Sequence, residues 1–260
     1  MVWMLLWSVF LLLVTFAWWT RHGELTRARW KHPPLSSRSY SGPPDNPPFV
    51  SILIAAKDEE ANIERALRSM LRQDYPHFEL IVIDDRSRDR TPRILESLKA
   101  EDASGRLRVV HVSELRDGWF GKNNAMREGM AVARGEWLLF SDADCEQTSP
   151  SALSMALCHA IKWQFDFLSV IPRHEMHGLW EQIVQPVGSM LLMFWHNPKR
   201  VNDPRNPAAY ANGAFMLMKR SCYDTIGGHE AVKTEVNEDV HMARLAKEKG
   251  QRYPQQSFQI

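Results

Sequence analysis

The sequence predicts an α/β protein: a mostly parallel sheet flanked by helices, preceded by one transmembrane helix. Three observations predict it. Residues 2–19 carry no charged side chain. From Phe49 onward, continuous apolar runs alternate with amphipathic segments. Two of those runs end in carboxylates, at Asp84–Asp85 and Asp142. Strands that are apolar throughout, rather than at every second position, are buried on both faces, which implies a parallel sheet covered by helices on each side.

The elements follow in order. VWMLLWSVFLLLVTFAWW (2–19) has only Ser8 and Thr15 as polar residues. As a helix it spans roughly 27 Å, close to the hydrocarbon thickness of a bilayer. Trp3, Trp7, Trp18 and Trp19 lie toward its ends, where indoles favour the membrane interface. A cleaved signal peptide needs a basic segment before the apolar run and a small-residue cleavage site, and neither is present. Arg21, Arg27, Arg29, Lys31 and Arg38 follow the run instead, which by the positive-inside rule puts the remainder of the chain on the cytoplasmic side of the inner membrane. Residues 1–20 are thus read as an anchor and 21–48 as a basic, then Pro-rich linker. The globular domain is expected over 49–260.

Within that domain FVSILIAA (49–56) predicts a strand and EEANIERALRSMLRQ (59–73) a helix, with Ile63, Ala66, Leu67, Met70 and Leu71 on one face. ELIVIDD (79–85) is the second strand. TPRILESLKA (91–100) is a helix with Thr91 as N-cap and Pro92 at its first position. LRVVHV (107–112) is a third strand, GKNNAMREGMAVARG (121–135) a helix closed by Gly135, and EWLLF (136–140) a fourth strand. NEDVHMARLAKEKG (237–250) predicts a further helix. LWEQIVQPVGSMLLMFW (179–195) is uncharged from Ile183 onward but too short to span a bilayer. It reads either as a helix lying on a membrane and guiding a lipid hydroxyl, or as a core helix.

Composition excludes several classes. Lys plus Arg (32) nearly balances Asp plus Glu (31), so no basic field points to nucleic acid. Cys145, Cys158 and Cys222 show neither paired nor metal-type spacing, which fits a reducing compartment. There is no GxGxxG and no GxxxxGK[ST], hence no dinucleotide cradle or P-loop.

Ligands of parallel sheets bind at the carboxyl ends of the strands, near the switch in strand order. That edge holds Ala55–Lys57, Asp84–Asp85 and Asp142–Asp144. In an extended strand Asp142 and Asp144 point to one side, where two carboxylates repel unless a cation lies between them. A polar turn capping the next helix is the alternative. Mg²⁺ or Mn²⁺ on this pair would make the acidic crevice a diphosphate site and stabilise a departing nucleoside diphosphate. Asp85 can accept hydrogen bonds from a base or ribose, or simply cap the SRDRT turn. In DGWFGKNNAM (117–126) Gly118 and Gly121 permit close backbone approach and Lys122 offers charge toward phosphate; the alternative is a loop with Trp119 packed on the sheet. Glu238 and Asp239 fit the first turn of a helix through capping and dipole preference alone, or supply a general base for an acceptor hydroxyl. His241, two residues on, faces elsewhere and is read as structural.

Together VSILIAAKDEEANI, ELIVIDDRSRDRT, GWFGKNNAM, the D-x-D of SDAD, NGAFMLMKR…IGGHEA and the ED of NEDV, in this order, resemble the family 2 glycosyltransferases over about residues 49–250. HNPKRVNDPRNPAAYANGAFMLMKR and the N-terminal anchor look closest to the hopanoid-biosynthesis-associated branch, with ceramide glucosyltransferases more distant. The resemblance implies a GT-A (Rossmann-like) fold and transfer of a hexose from a nucleotide sugar, usually UDP-linked, with inversion. It implies a lipid or polyprenol-type acceptor; a saccharide or soluble acceptor, or a binding-only membrane protein, are the alternatives. It places Ala55 and Asp85 at the nucleotide, Lys122 and Asp142 at the diphosphate, and Gly213 beside the donor sugar. Asp142 and Asp144 fall at a divalent metal, and Asp239 with Glu238 at the catalytic base. Relatives usually continue past the ED helix with Q-x-x-R-W and further membrane helices; the sequence to Ile260 contains neither.

Overall fold

A computed structural model describes residues 2–31, 40, 42–44, 46–176, 178–203, 205–252 and 255–257. The chain starts with helix α1 (Val2–Lys31), followed by β1 (Val50–Ala56), α2 (Ile63–Leu71), β2 (Phe78–Asp85), α3 (Thr91–Glu101), β3 (Leu107–Val112), α4 (Gly121–Met130) and β4 (Trp137–Asp142). Then come α5 (Ala152–Lys162), β5 (Phe167–Ile171), α6 (Leu179–Trp195), α7 (Pro198–Val201), β6 (Met216–Lys219), α8 (Arg220–Ile226), a 3-10 turn (Gly228–Val232), α9 (Glu238–Glu248) and β7 (Gln255–Ser257).

The strands form one sheet in the order β3-β2-β1-β4-β6-β5-β7. β1 pairs in parallel with both β2 and β4, and β2 with β3; β6 runs antiparallel to β4 and β5. The predicted mostly parallel α/β sheet is therefore present. Strand order reverses between β2-β1 and β4, which opens a crevice beside Ala55 and Asp142, themselves cross-strand neighbours.

Side-chain alternation divides the core in two. Val50, Ile52, Ile54, Leu80, Val82 and Leu139 face the layer containing α2, α3 and α5. Leu53, Ile81, Ile83, Leu138 and Phe140 face α4, α8 and α9. Both sets are buried, as continuous apolar runs require. Burying one such side chain contributes about 1.5–3 kcal/mol before ordering costs.

Several boundaries differ from the sequence reading, each for a physical reason. α1 does not stop where the apolar run ends but continues through the basic residues to Lys31. The nineteen residues Val2–Thr20 form a span long and apolar enough to cross a membrane, with none of it buried in the protein. Residues 32–39, 41 and 45 of the expected Pro-rich linker lie outside the described residues. Thr91 is the first helical residue rather than the N-cap; Asp89 Oδ1 accepts its backbone N–H at 2.8 Å, and its hydroxyl accepts from Glu59 N–H.

α4 ends at Met130, so Gly135 does not close it. Gly135 is needed because the chain presses against β1 there: a Cβ would lie 2.3 Å from Ser51 N and 2.5 Å from Trp137 O. Finally, α6 is not a core helix. Apart from Ser189, which is partly covered, its described side chains are exposed, with Trp180 at 75% and Leu191 at 63%. It remains continuous through Pro186.

Candidate active site

Five of the eight residues expected at the site converge at the carboxyl edge of the sheet around one ammonium group. Lys122 stands in the first turn of α4, and its Nζ donates to Asp142 Oδ1, at the end of β4, at 2.7 Å. The same Nζ lies 2.7 Å from Glu238 Oε1 in the first turn of α9. Burial works against the charged lysine, but the two carboxylates outweigh it and hold its pKa above the ordinary value. α4 and α9 meet here because the intervening chain is tied down. Phe120 N–H donates to Lys233 O at 2.8 Å, and Asn123 Nδ2 donates to Val232 O at 2.7 Å and Glu235 O at 2.9 Å.

Gly213 completes the arrangement. Its N–H donates to Asp239 Oδ2 at 2.9 Å, and a Cβ would lie 3.2 Å from Lys122 Nζ and 3.5 Å from Asp142 Oδ2. Asp239 Oδ1 accepts Val240 N–H at 2.7 Å. Burial raises the Asp239 pKa against these hydrogen bonds and Lys122, which suits a carboxylate that must take up a proton. The loop carrying Gly213 is locked by Asn212, whose Oδ1 accepts Ala214 N–H, and by Ser141 Oγ, which donates to Ala214 O.

Asp144 reaches the site by a different route from the one expected. β4 stops at Asp142, and Ala143–Asp144 form a turn in which Cys145 N–H donates to Asp142 O at 3.3 Å. Strand alternation therefore does not set the pair's geometry; the turn does. It nevertheless brings one ligand atom each from Asp142, Asp144 and Cys145 within 4.8 Å of one another. Two oxygens at this separation, one on a half-exposed carboxylate and one on an exposed carboxylate, fit a divalent cation that keeps several further ligands.

Asp85 is 3% exposed and accepts a bidentate pair from the adjacent Arg86, Nε at 2.8 Å and Nη2 at 3.0 Å. Arg86 adopts a left-handed backbone (φ 60°) to make that turn back. Gly121 allows α4 to start beside this carboxylate, since a Cβ there would lie 2.7 Å from Asp85 Oδ2. The expected close approach at Gly121 is thus to Asp85. Trp119 lies between Arg127 and Lys233, whose cationic groups are 5.5 and 6.0 Å from its ring, rather than flat on the sheet. His241 Nε2 pairs with Glu235 at 3.3 Å, away from the site.

Sequence reasoning missed Arg86, Cys145 and His229. His229 is 1% exposed beneath the site, hydrogen-bonded to the Tyr223 hydroxyl at 2.8 Å and edge-on to Phe140. Burial, with a smaller contribution from Lys122, pulls its pKa down to about 3, so it is neutral. The hint for Cys145 was its place three residues after Asp142, the spacing of a β-turn.

A cleft of ≈1020 Å³ runs from Asp142, Asp144 and Cys145 past Phe215 and Arg173 to Gln182 on α6. A family model described as glycosyl transferase family 2 matches residues 51–227. The chain belongs to that family. Among curated relatives, a beta-monoglucosyldiacylglycerol synthase of Trichormus variabilis is 39% identical over 108 residues, 41% of this chain and 22% of the relative. A 4,4'-diaponeurosporenoate glycosyltransferase of Staphylococcus aureus is 27% identical over 191 residues, 73% of this chain and 48% of the relative. The chain thus spans about half or less of the curated relatives it matches.

Among solved structures, a mannosyltransferase of Pyrobaculum calidifontis in complex with GDP-Man and Mn²⁺ superposes with a TM-score of 0.65. It is 21% identical and covers 92% of this chain and 64% of its own. S. aureus TarS in complex with UDP gives 0.54 at 18% identity, covering 81% and 58%. The fold is that of the GT-A glycosyltransferases, as the sequence resemblance implied.

Proposed function

We propose that this glycosyltransferase moves a hexose from a nucleotide sugar, UDP-linked in our reading, to the hydroxyl of a lipid-type acceptor, with inversion at the anomeric carbon. The observation that carries the reading is the Lys122–Asp142–Gly213–Asp239 arrangement. It sets a held cation and a half-buried carboxylate of raised pKa on either side of a glycine without a side chain.

Lys122 offers its charge to the donor diphosphate, and Gly213 leaves room for the sugar. Asp85, released from Arg86, and the backbone at Ala55 border the nucleotide. Asp239 accepts the proton of the acceptor hydroxyl as its oxygen forms the new bond to the anomeric carbon and the bond to the diphosphate oxygen breaks. A single in-line displacement of this kind needs one base and no covalent enzyme intermediate. Glu238, committed to Lys122, positions that lysine rather than acting as the base. Asp142 and Asp144 would hold a divalent cation, Mg²⁺ or Mn²⁺, which when bound supplies charge neutralisation to the leaving diphosphate.

Two features support a lipid acceptor at a membrane: the exposed apolar span Val2–Thr20 and the exposed α6, with Gln182 lining the cleft beside Asp142. Of the relatives, the beta-monoglucosyldiacylglycerol synthase and the diaponeurosporenoate glycosyltransferase are named for lipid-type substrates. We read residues 1–20 as the anchor, the domain from 49 onward as facing the cytoplasm, and the location as the inner membrane. The test is nucleoside diphosphate release by the full chain in membranes, with a panel of nucleotide sugars and extracted lipids. The reading expects a glycolipid product of inverted anomeric configuration. Transfer only to soluble saccharides, or donor binding without transfer to any acceptor, overturns it.

A further inference from the structure

We propose that Cys145 is a third protein ligand of the cation at Asp142 and Asp144, and that it biases the site toward thiophilic divalent ions and away from Mg²⁺. This rests on the reading that a divalent cation accompanies the donor.

The turn after β4 is what makes the residue available. The Cys145 N–H to Asp142 O bond folds the chain back so that residue 145 returns over residue 142. Its Sγ lies 3.5 Å from Asp144 Oδ1, and one oxygen of each aspartate lies with it inside a 4.8 Å cluster. Around one ion with metal–oxygen distances of about 2.1 Å and metal–sulfur of about 2.3 Å, donor atoms stand roughly 3–4.4 Å apart. The three atoms therefore need only a small contraction to share an ion. Asp142 can take part without giving up Lys122, because the lysine occupies Oδ1 and leaves Oδ2.

The chemistry of the set then decides its preference. Mg²⁺ takes oxygen ligands and dehydrates reluctantly, so a sulfur donor adds little to its binding. Mn²⁺, Co²⁺, Zn²⁺ and Cd²⁺ accept thiolate in increasing degree, and a mixed oxygen–sulfur set favours them. Burial, with Asp144 and Asp142 beside it, keeps Cys145 a thiol in the free protein, so it coordinates as the thiolate only by losing its proton to solvent as the ion binds. Cys158 and Cys222 cannot substitute: the first donates to Gly42 O, and the second is wholly buried on the core face of α8.

The test is a titration of the full chain in detergent with Cd²⁺ and Co²⁺, following sulfur-to-metal charge-transfer absorption, with Mn²⁺ binding measured in parallel by electron paramagnetic resonance. Wild type and Cys158→Ser should show the band. Cys145→Ser and Cys145→Ala should lose it, with Cd²⁺ affinity falling roughly tenfold or more and Mg²⁺ affinity little changed. Thermal melting confirms that the variants fold, and the wild-type band does not depend on them. Mn²⁺ binding by the wild type with no charge-transfer band places Cys145 outside the coordination sphere and overturns the proposal while leaving the cation in place. Binding of neither Mn²⁺ nor Cd²⁺, with or without nucleotide, overturns both readings.

Discussion

Two clusters of charge sit at opposite edges of the same sheet, and they are built to opposite rules. At the amino edge Glu79 is 2% exposed and its carboxylate is saturated. Ser51 Oγ donates to it at 2.8 Å, Arg134 N–H at 2.8 Å, and the Arg134 guanidinium at 2.9 and 3.1 Å. Burial would raise its pKa, but the Arg134 backbone N–H, the Ser51 hydroxyl and the Arg134 side chain prevail and hold it below the ordinary value. At the carboxyl edge Asp142 and Glu238 share one lysine, Asp239 accepts only two backbone N–H groups, and the Asp239 pKa is raised rather than lowered. A buried acid is therefore no sign of function by itself. What distinguishes the candidate-site edge is acceptor capacity left open toward a cleft.

The sharpest way to test this contrast is to change one acid at each edge. Asp239→Asn should lower the transfer rate roughly 10²–10⁴-fold, with donor binding and melting temperature little changed. Because its pKa is raised, the acid limb of kcat/KM in the wild type should lie above the usual carboxylate range. Activity falls as pH drops through it, and a limb at or below the usual range would separate Asp239 from the base role.

At the other edge Gly135→Ala should cost about 3 kcal/mol in a denaturant melt, since the new Cβ meets backbone that cannot yield. The specific rate of the folded fraction should persist. Glu79→Gln should cost about 2 kcal/mol by removing charge-assisted hydrogen bonds, again without a change in rate per folded molecule. A rate loss there larger than the stability loss explains would erase the division between edges. An effect of similar size, about 2 kcal/mol between pH 6.5 and pH 5, is that of His229, whose pKa is depressed by burial. Its contribution is complete above an unfolded value near 6.5 and is lost, by about 1.4 kcal/mol per pH unit, as pH falls toward about 3. Urea midpoints of wild type and His229→Gln measured at pH 7.5 and pH 5 check that slope.

The parallel half of the sheet was legible because its strands are long and apolar on both faces: β1, β2 and β3 matched within a residue, and β4 ran two residues past the expected Phe140. β5, β6 and β7 carry only five, four and three residues. Runs that short hold no readable period, and the antiparallel turn of β6 is a tertiary choice. Gly135 was misread because a glycine after a helical pattern looks like a cap, whereas its reason lies on β1, far away in sequence. Lys122, Asp142, Gly213, Glu238 and Asp239 stand out in the sequence through their motifs, yet the bridge from Asp142 through Lys122 to Glu238 joins distant segments and no local pattern encodes it. Arg86 on Asp85 was hidden for a related reason: it depends on a left-handed residue that composition does not announce.

The lysine bridge has one further consequence. With Lys122 bridging Asp142 and Glu238, the protein supplies part of the counter-charge itself, so assembly of the fold does not wait for a small molecule. Chelators should silence the enzyme without melting it, and the polypeptide can be made first and supplied later.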